Sequence, residues 1–325
     1  MESIESDQSI LSTTLTNGLD DVRLAQSVVT IGTFDGVHLG HQLLLKSAVA
    51  RGQELGLPVV VVTFEPVPVS VLRPEVFSGR ICSADEKLAL IVAHHPDHLV
   101  TLTFDLQLAQ WSPEQFMQAV VTATGMTELW IGEAFALGKG RAGGVEQLTE
   151  IGLTLGYSVC ALKRREDLDG VISSSRIRHA IELGDVSLAN RLLGRPFTVT
   201  GEVIRGAQFG RTIGFPTANV VPPADQVALA DGIYASRAKL PGEGVFRESM
   251  TYVGTRPTVN TGARQIETHI LDYDGDLYGH IIRVQLRQRL RPDEHFPSVA
   301  EMIAQLQQDE VTTRQFFAEL TEAID

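Results

Sequence analysis

Cysteine is scarce in this chain of 325 residues, which contains only Cys82 and Cys160. The two lie far apart and neither belongs to a CxxC pair, so a disulfide framework and a structural zinc site both lack support. No stretch approaches the roughly 20 apolar residues of a membrane span. The N-terminus is polar and acidic, whereas a signal peptide needs a basic start and an apolar run. We therefore expect a cytoplasmic protein that does not enter the membrane.

Positive charge is in deficit. Lys and Arg total 27 against 40 Asp and Glu, which gives a formal net charge of -13. This charge repels a phosphate backbone at long range, so we do not expect a nucleic-acid partner. A small nucleotide is still compatible, because a few backbone amides and one or two basic side chains can hold it locally. The sequence has no internal repeat and no signal for an obligate protein partner.

The length exceeds that of one ordinary core, which predicts two domains. Over residues 25–184, short β-branched runs alternate with amphipathic stretches, a pattern typical of βαβ units and of a parallel sheet with about five strands. One helix is predicted to begin at Ser112, with Pro113 in its first turn and Gln115 three residues after the cap. We expect residues 1–24 to form a loose leader.

The pattern changes between residues 184 and 194. Runs such as TVTGEVIRG, GIYASRAKL and HIIRVQLRQRL then follow one another with turn residues between them and no helical periodicity. This series favours an antiparallel barrel or sandwich. Apolar spacing between Val299 and Leu320 predicts a helix packed on it. We therefore expect a second domain over residues 185–325.

The segment between the first strand and the first long helix reads TIGTFDGVHLGH, residues 30–41. It falls at the carboxyl edge of the predicted parallel sheet, where open α/β folds bind ligands. Amides at the helix start can face a phosphate, and Gly36 allows close backbone approach. His38 and His41 can point at the same group and hold the charge that develops when an α-phosphate is attacked. The alternative is a histidine pair that merely decorates a helix end.

A second candidate phosphate cradle reads ISSSRIR, residues 172–178, just before an apolar helical run. Ser174 and Ser175 offer hydroxyls at a helix start, and Arg178 supplies positive charge. Taken alone, the segment is better explained as a serine N-cap followed by solvated arginines. Together with the histidine pair it completes a clamp for a triphosphate.

The second half contains GRTIGFPTAN, residues 210–219. Gly210 and Gly214, four residues apart, suit a loop that folds closely over phosphates. Thr217 and Asn219 fall on the same side of an extended segment, and their hard oxygens suit Mg²⁺ together with the phosphates of ATP. On spacing alone, a simple turn is an equally good interpretation.

These motifs resemble those of the bacterial bifunctional riboflavin kinase/FAD synthetase family. TIGTFDGVHLGH and ISSSRIR are similar to its nucleotidylyltransferase module, which transfers AMP from ATP to FMN. The resemblance implies that His38 and His41 are catalytic residues on the ATP phosphates. The residues it implies for nucleotide binding in this module are Gly32, Phe34, Gly36, His38, His41, Ser174, Ser175 and Arg178.

GRTIGFPTAN, VGTRPTV, IETHILDY and LQQDEVTTRQFF resemble, in order and spacing, the riboflavin kinase domain of the same family. The resemblance implies a six-stranded barrel in which Thr217 and Asn219 bind Mg²⁺ and ATP, with Gly210 and Gly214 on the nucleotide. It implies further that Glu267 takes the proton from the ribityl 5′-hydroxyl of riboflavin. The alternative for Glu267 is a solvated strand residue.

By this resemblance, residues 25–184 form an FMN adenylyltransferase and residues 185–325 a riboflavin kinase, with ATP, riboflavin and FMN as ligands. Three positions depart from the family pattern. Ala134 and Leu137 stand where a polar residue and an aromatic are usual, and Val67 stands where His or Gln is common. Ala134 and Leu137 motivate one alternative, a riboflavin kinase with a weakened adenylyltransferase domain. Another is a non-catalytic flavin-binding protein on the same scaffold, against which the intact kinase motif argues.

Overall fold

The computed structural model describes residues 13–206, 208–255 and 264–322. The chain forms two compact units. The first unit runs as far as Ile172 but leaves out the segment Ser78–Ser83. That segment belongs, together with Ser173 and the residues after it, to the second unit.

The first unit is built on a sheet of six parallel strands, ordered β1-β4-β3-β2-β5-β6. The strands are β1 (Thr14–Asn17), β2 (Ser27–Ile31), β3 (Val59–Glu65), β4 (His98–Thr103), β5 (Met126–Gly132) and β6 (Ser158–Leu162). The helices are α1 (Leu39–Leu55), α2 (Pro68–Leu72), α3 (Ala84–Val92), α4 (Pro113–Thr124) and α5 (Val145–Leu155). A hairpin of β7 (Glu166–Asp167) and β8 (Gly170–Val171) follows β6.

Strands β2 and β3 form the centre of this sheet. Val29, Val60 and Val61 are completely buried, because central parallel strands are covered on both faces, which explains their continuous β-branched runs. Helix α4 begins where the sequence predicts. The Ser112 side chain accepts from the N–H of Gln115, whose side chain accepts from the N–H of Ser112. The predicted parallel α/β architecture is confirmed, with one strand more than expected.

The additional strand, β1, lies in residues expected to form a loose leader. Thr14–Asn17 pairs in parallel with the edge of β4, and Val22 is 2 % exposed. The TLTN segment has one apolar residue, so its pattern does not separate it from a loop. The strand is held in place by backbone hydrogen bonds, such as the one that the N–H of Thr14 donates to the Asp97 carbonyl at 2.8 Å. The leader prediction is thus corrected from Thr14 onward, and residues 1–12 lie outside the described residues.

The second unit contains the closed antiparallel barrel of six strands that the family resemblance implies, ordered β10-β13-β12-β11-β14-β9. The strands are β9 (Phe197–Ile204), β10 (Ala218–Val221), β11 (Gly232–Lys239), β12 (Phe246–Thr255), β13 (Arg264–Ile270) and β14 (Ile281–Arg291). The helices are α6 (Ser174–Glu182), α7 (Val186–Leu193), α8 (Phe209–Thr212) and the predicted C-terminal helix α9 (Val299–Glu322). In the described part of the chain, no helix has both the length and the apolar character needed to cross a membrane.

Helix α6 belongs with the barrel rather than with the parallel sheet. It packs on α7, which contacts β14 and β9, and the Ile181 carbonyl accepts a hydrogen bond from the N–H of Ala230. The compact units therefore divide after Ile172, whereas the sequence pattern changes between residues 184 and 194. The reason is that the pattern changes where strands replace helices, whereas compactness depends on what a helix packs against.

Four hydroxyl side chains form a hydrogen-bonded cluster among β11, β12 and β13. The Oγ of Ser236 lies 2.7 Å from both the Oγ of Ser249 and the Oγ1 of Thr251. The Oγ1 of Thr251 lies 3.0 Å from that of Thr268. All four residues are completely buried. Since a buried hydroxyl without a partner is costly, these side chains satisfy one another and favour one register among the three strands.

Replacing Ser236 by Ala should destabilise the protein, because it leaves Ser249 and Thr251 without a shared hydroxyl. A buried partner left unsatisfied costs about 1–3 kcal/mol of unfolding free energy. Urea unfolding of the wild type and of Ser236→Ala measures this loss. Ser187→Ala, at a partly exposed position of α7, is the control and should change the free energy by less than about 0.5 kcal/mol. Equal effects of the two substitutions would contradict the role of the cluster.

Candidate functional site

The turn after β2 contains three residues with positive φ: 48° at Phe34, 75° at Gly36 and 36° at Val37. Glycine adopts such angles freely, whereas Phe34 and the β-branched Val37 do so rarely. Both side chains are buried, at 0 % and 1 % exposure, so core packing holds the turn in shape. Backbone strain of this kind clusters at ligand-binding sites.

His38 is the N-cap of α1. Its Nδ1 accepts hydrogen bonds from the backbone N–H groups of Gly40, at 3.1 Å, and of His41, at 3.3 Å. In a neutral imidazole the accepting nitrogen carries no proton, so the proton lies on Nε2. The helix start therefore fixes both the orientation and the tautomer of His38, and leaves Nε2–H as a donor.

His41 stacks on His38, with ring centroids 3.7 Å apart and an interplanar angle of 17°. The ring of Phe34 meets that of His41 edge-on at 5.3 Å. Burial, and secondly the neighbouring His38, hold the pKa of His41 well below its usual range. The Nδ1 of His41 is buried and has no hydrogen-bond partner among the described residues. The structure thus brings the two predicted imidazoles together, with His41 neutral at pH 7.

Two glycines leave room for the rings of this site. A Cβ at Gly40 would lie 3.1 Å from Cε1 of His38, and a Cβ at Gly32 would lie 3.0 Å from the ring of Phe34. The same position at Gly40 is 3.9 Å from the carbonyl oxygen of Ile172. The carbonyl of Ile172, the last residue of the first unit, therefore lies close to the start of α1.

Helix α6 begins within the ISSSRIR segment, residues 172–178. Ser173 is the N-cap, and its Oγ accepts from the N–H of Arg176 at 3.3 Å. Ser174 and Ser175 occupy the first two helical positions, and Ser175 is exposed. The sequence prediction of a serine cap followed by further hydroxyls at a helix start therefore matches the geometry, with the cap at Ser173.

Arg178 lies one turn into α6 and is half-buried. Its Nε donates a hydrogen bond to the carbonyl oxygen of Gly79 at 2.7 Å. A guanidinium is planar, so a bond from Nε fixes the plane in which the remaining N–H groups lie. Ser174, Ser175 and Arg178 are thus presented by the first turns of one helix.

The three departures from the family pattern lie at different kinds of position. Leu137 is 9 % exposed in the core of the first unit, and its backbone exchanges two hydrogen bonds with Gly143. Val67 is 2 % exposed and directly precedes α2. Ala134 is exposed, and its carbonyl accepts from Arg141 at 3.4 Å. Leu137 and Val67 are therefore packing residues in this chain.

Two neighbouring strands of the barrel bring Asn219 and Glu267 together. They stand directly opposite each other in the antiparallel pair of β10 and β13, where side chains are close neighbours. The hydroxyl of Thr217, just before β10, donates to Oε2 of Glu267 at 3.3 Å. Glu267 is 7 % exposed, so it is not the solvated strand residue of the alternative interpretation. The three predicted side chains share one small region.

The glycines before β10 allow the chain to lie close to this region. A Cβ at Gly206 would be 2.6 Å from both Nδ2 and Oδ1 of Asn219, and a Cβ at Gly210 would collide with the Phe215 carbonyl. Gly214 has a φ of 87°, which favours glycine. Gly206 lies outside the predicted nucleotide set, but it is the residue that lets the backbone approach Asn219.

His269 is a site residue to which the sequence analysis gave no role. Its Nδ1 lies 2.8 Å from the Pro216 carbonyl oxygen, and its ring meets that of Phe215 at 5.3 Å. Because a carbonyl oxygen only accepts, Nδ1 is the donor. Glu267 and His269 are two residues apart on a strand, so they share a face. That spacing was the available signal for a residue that anchors the chain just before Thr217.

Mg²⁺ fits this donor set when a nucleotide shares its coordination. The Thr217 hydroxyl, the Asn219 amide and the Glu267 carboxylate are hard oxygen donors, and Mg²⁺ commonly combines a few protein oxygens with phosphates and water. In the parts of the chain that are described, no group of three or more His, Cys, Asp or Glu residues could hold a metal. Residues 256–259 of the VGTRPTV motif lie outside the described residues.

The fold and these two groups of polar residues define an enzyme class that handles nucleotide phosphates at two sites. A family sequence model described as FAD synthetase matches residues 21–176. Another, described as riboflavin kinase, matches residues 193–317. The first match contains the TIGTFDGVHLGH motif and ends within the ISSSRIR segment, before Arg178, and the second match contains the GRTIGFPTAN motif.

Curated relatives named bifunctional riboflavin kinase/FMN adenylyltransferase align over most of the chain. That of Escherichia coli (strain K12) is 37 % identical, covering 89 % of this chain and 92 % of the relative. That of Pseudomonas fluorescens is 35 % identical, with coverages of 92 % and 96 %. That of Bacillus subtilis (strain 168) is 33 % identical, with coverages of 91 % and 94 %. The chain belongs to this family of bifunctional riboflavin kinase/FMN adenylyltransferases.

A crystal structure of a protein named as a macrolide-efflux protein from Streptococcus pneumoniae has the same fold. It is 30 % identical to this chain and superposes with a TM-score of 0.84. The superposition covers 93 % of this chain and 99 % of that protein. Both units of the fold described above are therefore found together in a solved structure.

Gly206→Ala should lower the rate of FMN formation at least about tenfold, because the new Cβ would push the Asn219 amide out of place and displacements of about 1 Å can cost 10²-fold. FAD formation from supplied FMN should stay within about twofold of the wild type. Rates of both reactions on one preparation measure the effect. Gly244→Ala, where nothing lies within 4 Å of the new Cβ, is the matched control. Equal kinase rates in the two variants would contradict the packing argument.

His41→Gln should flatten the dependence of stability on pH. Because folding lowers the pKa of His41, below pH ~6.5 the unfolded chain binds a proton that the folded chain does not. The wild type should therefore lose stability as pH falls from about 7.5 to 5.5, and the variant should lose less. Urea unfolding at both pH values measures the difference. The same loss in both proteins would show that His41 is not held neutral.

Proposed function

We propose that the chain divides the two reactions of its family between two sites. The site on the barrel phosphorylates riboflavin to FMN at the expense of ATP. The histidine turn, which contains His38 and His41, transfers AMP from a second ATP to FMN and releases pyrophosphate. The observation that carries the proposal is the buried Glu267 carboxylate, which lies opposite Asn219 and accepts a hydrogen bond from Thr217.

In the kinase reaction, the ribityl 5′-hydroxyl of riboflavin attacks the γ-phosphorus of ATP. Glu267 accepts the hydroxyl proton as the new O–P bond forms, and ADP leaves. Burial of Glu267 supports this role, because a carboxylate that is shielded from water accepts its proton from the bound substrate. The Thr217 hydroxyl holds one oxygen of the carboxylate. Phosphoryl transfer needs little more than such positioning and the neutralisation of charge.

Thr217 and Asn219 are the residues we assign to Mg²⁺, together with phosphate oxygens of ATP. The bound ion would neutralise negative charge on those oxygens. Gly210 and Gly214 are assigned to the nucleotide, since they bring backbone N–H groups close to phosphates. The bond between His269 and the Pro216 carbonyl supports this arrangement by anchoring the chain directly before Thr217.

In the adenylylation reaction, a phosphate oxygen of FMN attacks the α-phosphorus of ATP. The second pKa of a phosphate monoester is about 6, so the nucleophile is already ionised and needs no base. What the site must supply is stabilisation of the charge that develops on the triphosphate. The Nε2–H of His38 can donate to a phosphate oxygen, because Nδ1 is occupied by backbone donors. His41 stacks on His38 and, in our proposal, contacts the same group.

The start of α6 provides further groups that we assign to the nucleotide. Ser174 and Ser175 offer hydroxyls and backbone N–H groups, and a helix N-terminus favours negative charge. Arg178 adds a full positive charge with a fixed orientation. Gly32, Phe34 and Gly36 are assigned to the nucleotide as the residues that shape the turn.

The alternative of a riboflavin kinase with a weakened adenylyltransferase domain is not favoured. The FAD synthetase match covers residues 21–176, and the relatives that align along nearly their whole length are named as bifunctional. Leu137, one of the two residues that motivated the alternative, serves core packing, as does Val67. Ala134 remains the one exposed departure.

ATP, riboflavin and FMN are the only ligands besides Mg²⁺ that the two reactions require. We propose that the chain acts in the cytoplasm, in agreement with its two free cysteines. No nucleic acid, membrane or obligate protein partner enters the proposal.

Glu267→Gln should slow FMN formation by about 10² to 10⁴-fold, the range typical of a lost general base, because the amide accepts no proton. FAD formation from supplied FMN should be unchanged, since it uses His38 and His41. Steady-state rates of both reactions on one preparation measure the separation. His38→Ala combined with His41→Ala should give the reverse pattern.

Glu248→Gln, on the neighbouring strand β12, is the control for loss of a carboxylate from the barrel. It should leave both rates within about twofold of the wild type. Glu248 is partly exposed, and the substitution removes a long ion pair with Arg237, at 3.9 Å. A kinase rate of Glu267→Gln within about threefold of the wild type would remove Glu267 from the catalytic role.

A further inference from the structure

The segment Ser78–Ser83 pairs with the connection between β10 and β11 inside the second unit. The N–H of Arg80 donates to the Asp225 carbonyl at 2.7 Å, and the Arg80 carbonyl accepts from the N–H of Val227 at 2.9 Å. These bonds form a parallel bridge between Arg80 and Gln226. Residues 79–82 are all buried. The pairing is therefore a firm part of the second unit, although the segment comes from the residues that the FAD synthetase model matches.

A side-chain ion pair reinforces the pairing. Nε of Arg80 lies 2.7 Å from Oδ2 of Asp225, and the Arg80 side chain is 9 % exposed whereas that of Asp225 is 52 % exposed. Removing one partner from an ion pair is most costly when the charge left behind is buried. Asp225 is therefore an exposed carboxylate that pairs with a buried charge of this segment.

Gly79 connects this pairing to α6. It has a φ of 112°, and a Cβ there would lie 2.5 Å from the backbone nitrogen of Val227. Only glycine fits such a close approach with positive φ. The carbonyl of Gly79 accepts the Nε–H of Arg178 at 2.7 Å. The orientation of the Arg178 guanidinium thus depends on where the segment is held.

We propose that Ser78–Ser83 and Asp225 are positioning elements for Arg178 in adenylyl transfer. Asp225 holds Arg80, Arg80 fixes the neighbouring Gly79 carbonyl, and that carbonyl orients the guanidinium toward the ATP phosphates. The inference rests on the proposed role of Arg178 as a phosphate ligand. One consequence is that Asp225, which lies within the span matched by the riboflavin kinase model, supports FAD formation.

The direct test measures kcat and KM for ATP in FAD formation from supplied FMN. Charge-assisted hydrogen bonds are strong enough that Arg178→Ala should raise KM for ATP at least about tenfold. Asp225→Ala should raise KM for ATP about threefold to tenfold, because the Arg178 guanidinium would lose its fixed orientation. Riboflavin phosphorylation on the same preparation should stay within about twofold, because Thr217, Asn219 and Glu267 are untouched.

Asp272→Ala is the matched control. It breaks an ion pair of similar length, 2.9 Å, but with Arg314, whose side chain is 43 % exposed. It should change neither reaction. Arg80→Met removes the charge and keeps an aliphatic chain. It breaks the same ion pair and should repeat the effect of Asp225→Ala, so the test remains possible if Asp225→Ala is poorly folded.

A double-mutant cycle separates positioning from general destabilisation. If Asp225 acts through Arg178, then Asp225→Ala should have no further effect on KM for ATP once Arg178 is Ala. An unchanged KM in both Asp225→Ala and Arg80→Met, with a raised KM in Arg178→Ala, would overturn the positioning role alone. An unchanged KM in Arg178→Ala would overturn the phosphate-binding role in the proposed function, and the inference with it.

Discussion

Main-chain hydrogen bonding within the two sheets is the constraint on which both sites depend. In the parallel sheet, β2 can continue only as far as β3 and β5 pair with it, and the histidine turn begins where that pairing ends. In the barrel, the register between β10 and β13 sets Asn219 opposite Glu267. A shift by one residue would turn Glu267 to the other face of its strand. Buried backbone groups must be paired, so the positions of the functional side chains follow from satisfying them.

The two sites use the same physical means for different chemistry. At each, glycine removes a Cβ where a functional side chain comes close: Gly40 beside the His38 ring, and Gly206 beside the Asn219 amide. Each also has an imidazole that hydrogen-bonds to the backbone: His38 to the start of α1, and His269 to the carbonyl of Pro216. They differ in the nucleophile, since a hydroxyl must lose a proton and a phosphate monoester need not. In our proposal, a buried carboxylate serves the first reaction and a pair of imidazoles serves the second.

The sequence predicts the parts of this arrangement that have a local pattern. Strand and helix alternation, the glycine–histidine turn and the threonine–asparagine segment each occupy a few consecutive residues. The strand Thr14–Asn17 was missed because an edge strand with one apolar residue has no periodicity. The division of the compact units after Ile172 has no local signal, because it depends on what α6 packs against. The pairing of Arg80 with Gln226 joins residues distant in the chain, and no spacing rule anticipates it.

The central claim is that one chain transfers two different phosphorus atoms of ATP to flavin. The most direct test incubates the purified protein with riboflavin and ATP that carries radioactive phosphorus at either the γ or the α position. The account predicts that γ label appears in FMN and is retained in FAD, whereas α label appears in FAD and never in FMN. Entry of γ label into FMN with no α label in any flavin would contradict it, because the chain would then be a kinase alone.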